Sequence, residues 1–274
     1  MTGPISFNPK IAQPQIKKTA LIDDFQNKSV DIDGDNIYDL AHGEVAEVYI
    51  KAYCPNVKIK RLDIGTPGDP ENIDMAKMNG ALHYINDNHN DFSTVNLSGG
   101  YLIPIENLQK NIPASMQPEG GITRDNIHES EKEILTYLKQ SNPQAFDNAV
   151  GMYHITKQGI NIYTAAGNDK NWYNAFGAVP GVEQVGGNWP SGAIASDSAE
   201  HSDIQSYEQF GFKSVLISDK NGKPIGYDIN MDNKADVPIE KTSSKGKSKG
   251  GSYILGTSFS TPVHVGKKLN IVSE

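Results

Sequence analysis

An α/β fold in three layers, a mostly parallel central sheet flanked by helices, is predicted by three observations. Short apolar runs alternate with stretches of helical periodicity, as βαβ units require. The runs end at small or polar residues, where such sheets place their chemistry. The 274 residues are enough for one large α/β domain or two small ones.

Residues 1–18 carry three Pro and little periodicity and read as an N-terminal arm; the remainder, 19–274, shows no boundary and no solenoid-type repeat. Thr19-Ala20-Leu21-Ile22 is a buried parallel strand ending in Asp23-Asp24. An acidic loop, Asp31 to Asp39, leads to His42-Gly43 and a helix with Val45, Val48, Tyr49 and Ala52 on one face. Val57–Ile64 is a second strand. Residues 72–86 form a helix through Met75, Met78, Leu82 and Ile85. Val95-Asn96-Leu97 is a third strand, stopping at Ser98-Gly99-Gly100.

The stretch 101–129 is rich in Pro, Gly and Asn and reads as a long inserted loop, the kind that forms a functional rim. Ser130 and Glu133 form a capping-box pattern before Ile134, Leu135 and Leu138. A helix over 143–158 ends at Gly159, and Ile160–Tyr163 is a fourth strand stopping at Ala165-Ala166-Gly167-Asn168. Trp172 and Tyr173, just beyond, are divided between pocket lining and core packing. Val182–Val185 and Val215–Ile217 read as further strands. Residues 241–251, with four Lys among Ser and Gly, read as mobile. Ser258 opens the last helix, whose body is expected from Thr261 to about Leu269.

The balance of 25 Lys+Arg against 33 Asp+Glu gives a net charge of −8, which argues against a nucleic-acid footprint. Mean hydropathy is −0.50 and no apolar run reaches the length of a membrane span. The single Cys54 excludes an internal disulfide and a Cys-based zinc site. The arm from Met1 to Lys18 contains no apolar h-region, so no secretory signal is expected in it. Compartment is left open.

Right-handed crossovers gather strand ends at a shared edge, where Asp23, Ser98, Asn168 and the His42 helix start are expected to lie. Asp23 follows a buried strand, His42 opens a helix, Asn168 ends a strand, and Ser258 begins a helix on the turn Gly256-Thr257-Ser258. A serine at a helix N-terminus has its hydroxyl exposed and unpaired N–H groups beside it that favour developing negative charge. Taken singly, each residue has an ordinary structural role: strand-end cap, structural histidine, turn asparagine or helix cap. Together, the chain order Asp23, His42, Ser258 is the order of the subtilisin arrangement of a triad.

Five segments carry a closer resemblance. Ile22-Asp23-Asp24, His42-Gly43-Glu44-Val45-Ala46, Asn96-Leu97-Ser98-Gly99-Gly100, Ala165-Ala166-Gly167-Asn168 and Gly256-Thr257-Ser258-Phe259-Ser260-Thr261-Pro262 resemble, in order, the signature segments of the subtilisin-like serine proteases. The framework from about 19 to 270 is covered; the loops between are unmatched. The resemblance implies a subtilisin-like fold and a serine endopeptidase acting on protein or peptide through an acyl-enzyme. It implies Ser258 as nucleophile, His42 as base, Asp23 as orienting acid, and Asn168 with the Ser258 N–H as oxyanion donors. Ser98, Gly99 and Gly100 resemble the edge along which substrate pairs as an added strand. Asp24 competes with Asp23; Asp23 is favoured because the family's acid directly follows the apolar run. Secretion is the family's usual fate.

There are departures. His42 follows Asp23 at a spacing shorter than the family's usual one, Glu44 stands where Thr is common, and Phe259-Ser260 replace the frequent Met-Ala. The sequence stops at Glu274, soon after Ser258, so the helix bearing Ser258 is expected to be less covered unless the arm or a partner lies over it. Two other readings therefore stand beside the protease: a non-catalytic scaffold or binding module of this fold, and an esterase or peptide-ligating enzyme using the same nucleophile.

Asp31, Asp33, Asp35 and Asp39 place carboxylates at positions 1, 3, 5 and 9 of a loop. Asp228, Asn230, Asp232 and Asp236 repeat the spacing. Alternate oxygen ligands on a tight turn suit structural Ca²⁺, and subtilisin-like proteases often use it to stabilise loops; the triad chemistry itself needs no cofactor. Neither loop has the EF-hand's glycine at position 6; Asn36 and Asn233 stand there and must adopt the left-handed conformation. The plain alternative is a solvated acidic turn.

Overall fold

The computed structural model describes residues 18–247 and 251–273. Six strands form one parallel sheet: β1 (Lys18–Asp23), β2 (Ile59–Asp63), β3 (Phe92–Leu97), β4 (Asn161–Ala165), β5 (Val182–Asn188) and β6 (Ile204–Gln209). Their spatial order is β6-β5-β4-β3-β1-β2, every neighbouring pair parallel. The chain runs outward from β1 to β2, then returns to the other side of β1 for β3. The order therefore reverses between β1 and β3, and a crevice opens beyond their carboxyl ends.

Five helices cover the faces: α1 (His42–Tyr53), α2 (Met75–Asp87), α3 (Glu131–Ser141), α4 (Pro143–Lys157) and α5 (Thr257–Ser273). α1 packs on α5 over one face; α2 and α3 each pack on α4 over the other. This explains the unbroken apolar run of β1. Ala20 and Ile22 enter the core with Met78, Leu82 and Met152, while Leu21 enters the opposite core with Ala46, Ile50 and Val265. Gly159, at φ +78°, follows α4 in the left-handed conformation that stops a helix. No helix among the described residues is long and apolar enough to cross a membrane.

Several sequence-based expectations change. β6 has no apolar run to announce it: Ile204-Gln205-Ser206-Tyr207-Glu208-Gln209 is an edge strand of partly exposed residues. Val215–Ser218 is a strand, but in a separate antiparallel sheet with Pro224–Asp228 and Val237–Pro238. The stretch 101–129 is not a bare loop. Leu102–Pro104 pairs antiparallel with Trp172–Asn174 and runs into a helix over Ile105–Asn111, with Ile103, Ile105, Leu108 and Ile112 buried. Those apolar residues are masked in the sequence by the Pro, Gly and Asn around them. Ser130 precedes α3, but its hydroxyl makes no cap bond.

Helix α5 begins at Thr257, ahead of its expected body, and carries Pro262 inside it. It is not poorly covered: Phe259 through Gly266 are all buried, against α1 on one side and β3, β4, β5 and β6 on the other. At Gly266 the two helices approach so closely that a Cβ would lie 2.8 Å from the Ile50 carbonyl oxygen. The N-terminal arm, residues 1–17, lies outside the described residues, as do 248–250 of the Lys-rich stretch. The start of that stretch is tied down, because the Ser243 and Ser244 amides donate to Asp39 and Asp33.

Candidate active site

β1 delivers Asp23 to the crevice at its last position. The following residue turns aside: the Asp24 carboxylate accepts from the Gln26 and Asn27 amides and the Asn27 side chain, closing a local turn. The choice between the two acids is thus made by the turn. The Asp23 Oδ1 accepts from His42 Nδ1 at 2.8 Å and from the Asp24 amide at 2.8 Å, while Oδ2 is buried without a partner among the described residues.

The chain between Asp23 and His42 is short, and a two-stranded ribbon, Lys28–Val30 with Leu40–Ala41, folds it back. The Gly43 amide then donates to the Asp24 carbonyl at 2.9 Å, which locks the start of α1 against the end of β1. A Cβ on Gly43 would lie 2.7 Å from the Phe25 ring, so this close return needs glycine. Glu44 caps the same helix start by accepting from the Ala41 amide.

His42 Nε2 lies 2.9 Å from the Ser258 Oγ. The carboxylate, imidazole and hydroxyl form one hydrogen-bonded line assembled from β1, α1 and α5. Burial lowers the imidazole's affinity for a proton, but the Asp23 charge and hydrogen bond outweigh it, and the His42 pKa ends above the ordinary histidine value.

Ser258 is the second residue of α5, in the first turn, where N–H groups lack helical acceptors. Asn168 is aimed by the neighbouring Thr257. Its Oδ1 accepts from the Thr257 amide at 2.8 Å and from the Thr257 Oγ1 at 3.0 Å, which leaves the Nδ2 group outside that pairing. The Thr257 Oγ1 also accepts from the Gly167 amide at 3.1 Å. A Cβ built on Gly256 would lie 3.1 Å from Ser258 Oγ and 3.3 Å from Asn168 Nδ2. The space between hydroxyl and amide is therefore open only because Gly256, at φ +139°, has no side chain.

A cleft of about 300 Å³ adjoins the line, walled by Asp23, His42, Asn168 and Ser258 and by Ile64, Pro70 and Ile73, with Ser98 and Gly99 at its edge. Gly100 lies one residue beyond, against Asn174. Tyr173 is core, donating its hydroxyl to the buried Asp203 at 2.5 Å, and Trp172 is partly exposed. The sequence reading does not single out Thr257, Leu102 or Asn174. Thr257 stands in plain view within the signature; Leu102 and Asn174 carry no sequence signal, because only their pairing across two distant segments brings them here.

The two acidic loops close in the same way. Asp31 accepts from the Gly34 and Asn36 amides, and Asp228 from the Met231 and Asn233 amides. Asn36 and Asn233 have φ of 67° and 64°, the left-handed conformation the spacing requires. Asp39 and Asp236 each accept from the amide next to the first aspartate, that of Ile32 and of Ile229. Asp31, Asp33 and Asp39 bring carboxylate oxygens within 4.8 Å of one another, as do Asp228, Asp232 and Asp236. Those oxygen sets suit a hard divalent cation in chemistry. Asp35 turns instead to the Ile37 amide and Ser243 hydroxyl, and Asn230 donates its side-chain amide to Asp236.

No protein-family model matches the sequence, and no curated protein matches it. Solved structures do. A lanthipeptide protease is 16% identical with a TM-score of 0.54, covering 94% of this chain and 73% of its own. A cold-adapted subtilisin-like serine proteinase is 15% identical with a TM-score of 0.51, over 98% of this chain and 80% of its own. The nisin leader peptidase NisP from Lactococcus lactis is 14% identical with a TM-score of 0.54, over 94% and 78%. Identities this low speak to architecture, and with the parallel six-stranded sheet they establish that this chain has the subtilisin-like fold.

Proposed function

We propose that the chain is a serine endopeptidase. The observation that carries this reading is the unbroken line from Asp23 through His42 to Ser258, with contacts of 2.8 and 2.9 Å between residues 19 and 216 positions apart. A structural histidine needs one partner; this one has a buried carboxylate on one nitrogen and a helix-terminal hydroxyl on the other.

His42 Nε2 takes the Ser258 proton as Oγ adds to the scissile carbonyl. Asp23 holds the tautomer that presents Nε2 as acceptor and stabilises the imidazolium that results. The negative oxygen develops in the space over Gly256, toward Asn168 Nδ2 and the first-turn N–H of Ser258. Collapse expels the amine, which receives the proton from His42, and water then releases the acyl group by the reverse path. The edge Ser98–Gly100 takes the substrate backbone as an added strand. Two of the structural neighbours act, by their names, on lanthipeptides or leader peptides, which favours a peptide or protein as substrate.

The test is labelling by a fluorophosphonate together with peptide hydrolysis. Both are expected in the intact chain and lost in Ser258→Ala. A folded protein that neither labels nor cleaves overturns the reading in favour of a scaffold. Labelling with turnover of esters alone overturns the endopeptidase in favour of an esterase.

A further inference from the structure

The cleft and the substrate edge do not offer equal room on their two sides. On the β1 side lies the cleft of about 300 Å³, with Pro70 and Ile73 on its wall, Ile64 buried behind them, and Asp24 and Asn72 also lining it. The Ile73 Cδ1 sits 2.5 Å from where a Cβ on Gly99 would be, so that wall comes right up to the bare backbone of the edge.

The other side is the gap between the ends of β3 and β4, bounded by Ser98–Tyr101 and by Ala165–Asn168. Asn174 fills its floor. The residue is fully buried; its Oδ1 accepts from the Tyr101 amide at 3.2 Å, and its Nδ2 donates to the Ala165 carbonyl at 2.7 Å and to Thr164 Oγ1 at 3.0 Å. Its amide occupies the place that a Cβ on Gly100 would take. Thr164 Oγ1 in turn donates to the Gly99 carbonyl at 2.8 Å, pulling the two walls together. Leu102, the register partner of Asn174, covers the opening: its Cδ2 lies 3.2 Å from the Cβ position of Gly167, next to Asn168. Every polar group on Asn174 is satisfied by the walls, so it cannot swing away without leaving buried amides unpaired.

Successive side chains of an extended substrate point to opposite sides. With the scissile carbonyl between Ser258 and Asn168, the residue that supplies it faces the filled gap, and the residue before it faces the open cleft. Resting on the endopeptidase reading, we propose that Leu102 and Asn174 restrict cleavage to bonds following a small residue, Gly, Ala or Ser, and that the preceding residue is selected in the open cleft against Pro70 and Ile73. Recognition thus sits one residue upstream of the bond that breaks.

The experiment is digestion of a positional peptide library by the intact chain, read by mass spectrometry. Cleavage after Gly, Ala or Ser should exceed cleavage after Leu, Phe or Lys by about 10²-fold, the scale on which a pocket rejects extra methylenes. Leu102→Ala should raise the ratio of Leu or Phe to Ala at that position by at least about 10-fold, since one obstructing side chain is removed. Ile73→Ala should flatten the preference at the preceding position and leave the small-residue preference in place. A wild-type profile that accepts large side chains before the scissile bond overturns the proposal, whatever the variants do. Absence of any Ser258-dependent cleavage overturns the endopeptidase reading itself, a different result from cleavage with the wrong profile.

Discussion

The ring of Phe259 stacks on the imidazole of His42, with centroids 4.3 Å apart and planes inclined by 25°. Phe259 is buried with Tyr49 and Val263, so the ring that supports the imidazole is itself part of the core under α5. The imidazole thus rests on an aromatic face.

Phe259→Ala should cost about 3–5 kcal/mol, the range for emptying a buried Phe site. kcat should fall as well, because His42 loses the surface that fixes its plane. Phe259→Met should lose under about 1.5 kcal/mol and keep most of the activity. Urea denaturation and kcat on one peptide check both. Equal stability loss in the two variants would contradict this, because it would show that filling the volume beneath His42 does not replace the ring.

The pH profile follows from His42. A protonated imidazole cannot accept the Ser258 proton, so activity requires the neutral form. Asp23 holds the pKa above the ordinary value of about 6.5 despite burial. kcat/KM should therefore rise with pH through a midpoint above that value. Asp23→Asn removes the charge and with it most of the turnover, by about 10⁴-fold as in other triads. A midpoint at or below the ordinary histidine value would contradict the arrangement.

Asn168→Ala should lower kcat by about 10²–10³-fold with little change in KM, since its Nδ2 meets charge that exists only in the transition state. Thr257→Val removes the hydroxyl that fixes the Asn168 oxygen and should lower kcat by less. A pure KM effect for Asn168→Ala would place the amide in ground-state binding instead.

His264 on α5 lies between Glu183 of β5 and Glu208 of β6, 3.2 Å from an oxygen of each. Lys267 pairs with Glu208, Ser206 donates to Glu183, and Tyr163 packs edge-on to the imidazole. Burial opposes the charged imidazole, but the two carboxylates prevail and its pKa is raised. A raised histidine stabilises the fold fully below the unfolded value of about 6.5, and that contribution disappears as pH rises through the folded value. The Tm should fall over that window, and His264→Gln should remove the step. Superimposable Tm-against-pH curves for the two proteins would dismiss it.

Calcium is tested by chelation. Added Ca²⁺ should raise the Tm and EDTA lower it, with Asp33→Ala reducing the difference. The loop Asp31–Asp39 holds the ribbon that returns the chain to His42, so activity should fall with the Tm. An unchanged melting curve in EDTA and in Asp33→Ala would leave both loops as acidic turns closed by their own amides.

The sequence carries the parallel α/β sheet in plain view, because apolar runs such as Thr19–Ile22 and Val95–Leu97 are local signals that burial on both faces imposes. It also marked Asp23, His42, Asn168 and Ser258, each sitting where a strand or helix begins or ends. What it could not determine is anything set by contact between distant segments. The edge strand Ile204–Gln209 has no apolar pattern, since half of it faces solvent; the cover over α5 comes from α1 and four strands; Asp23 is chosen over Asp24 by a turn that consumes the second carboxylate. That Asn174 and Leu102 fill one side of the site emerges only in the folded chain, because it follows from how two short strands, far apart in the chain, pair with each other.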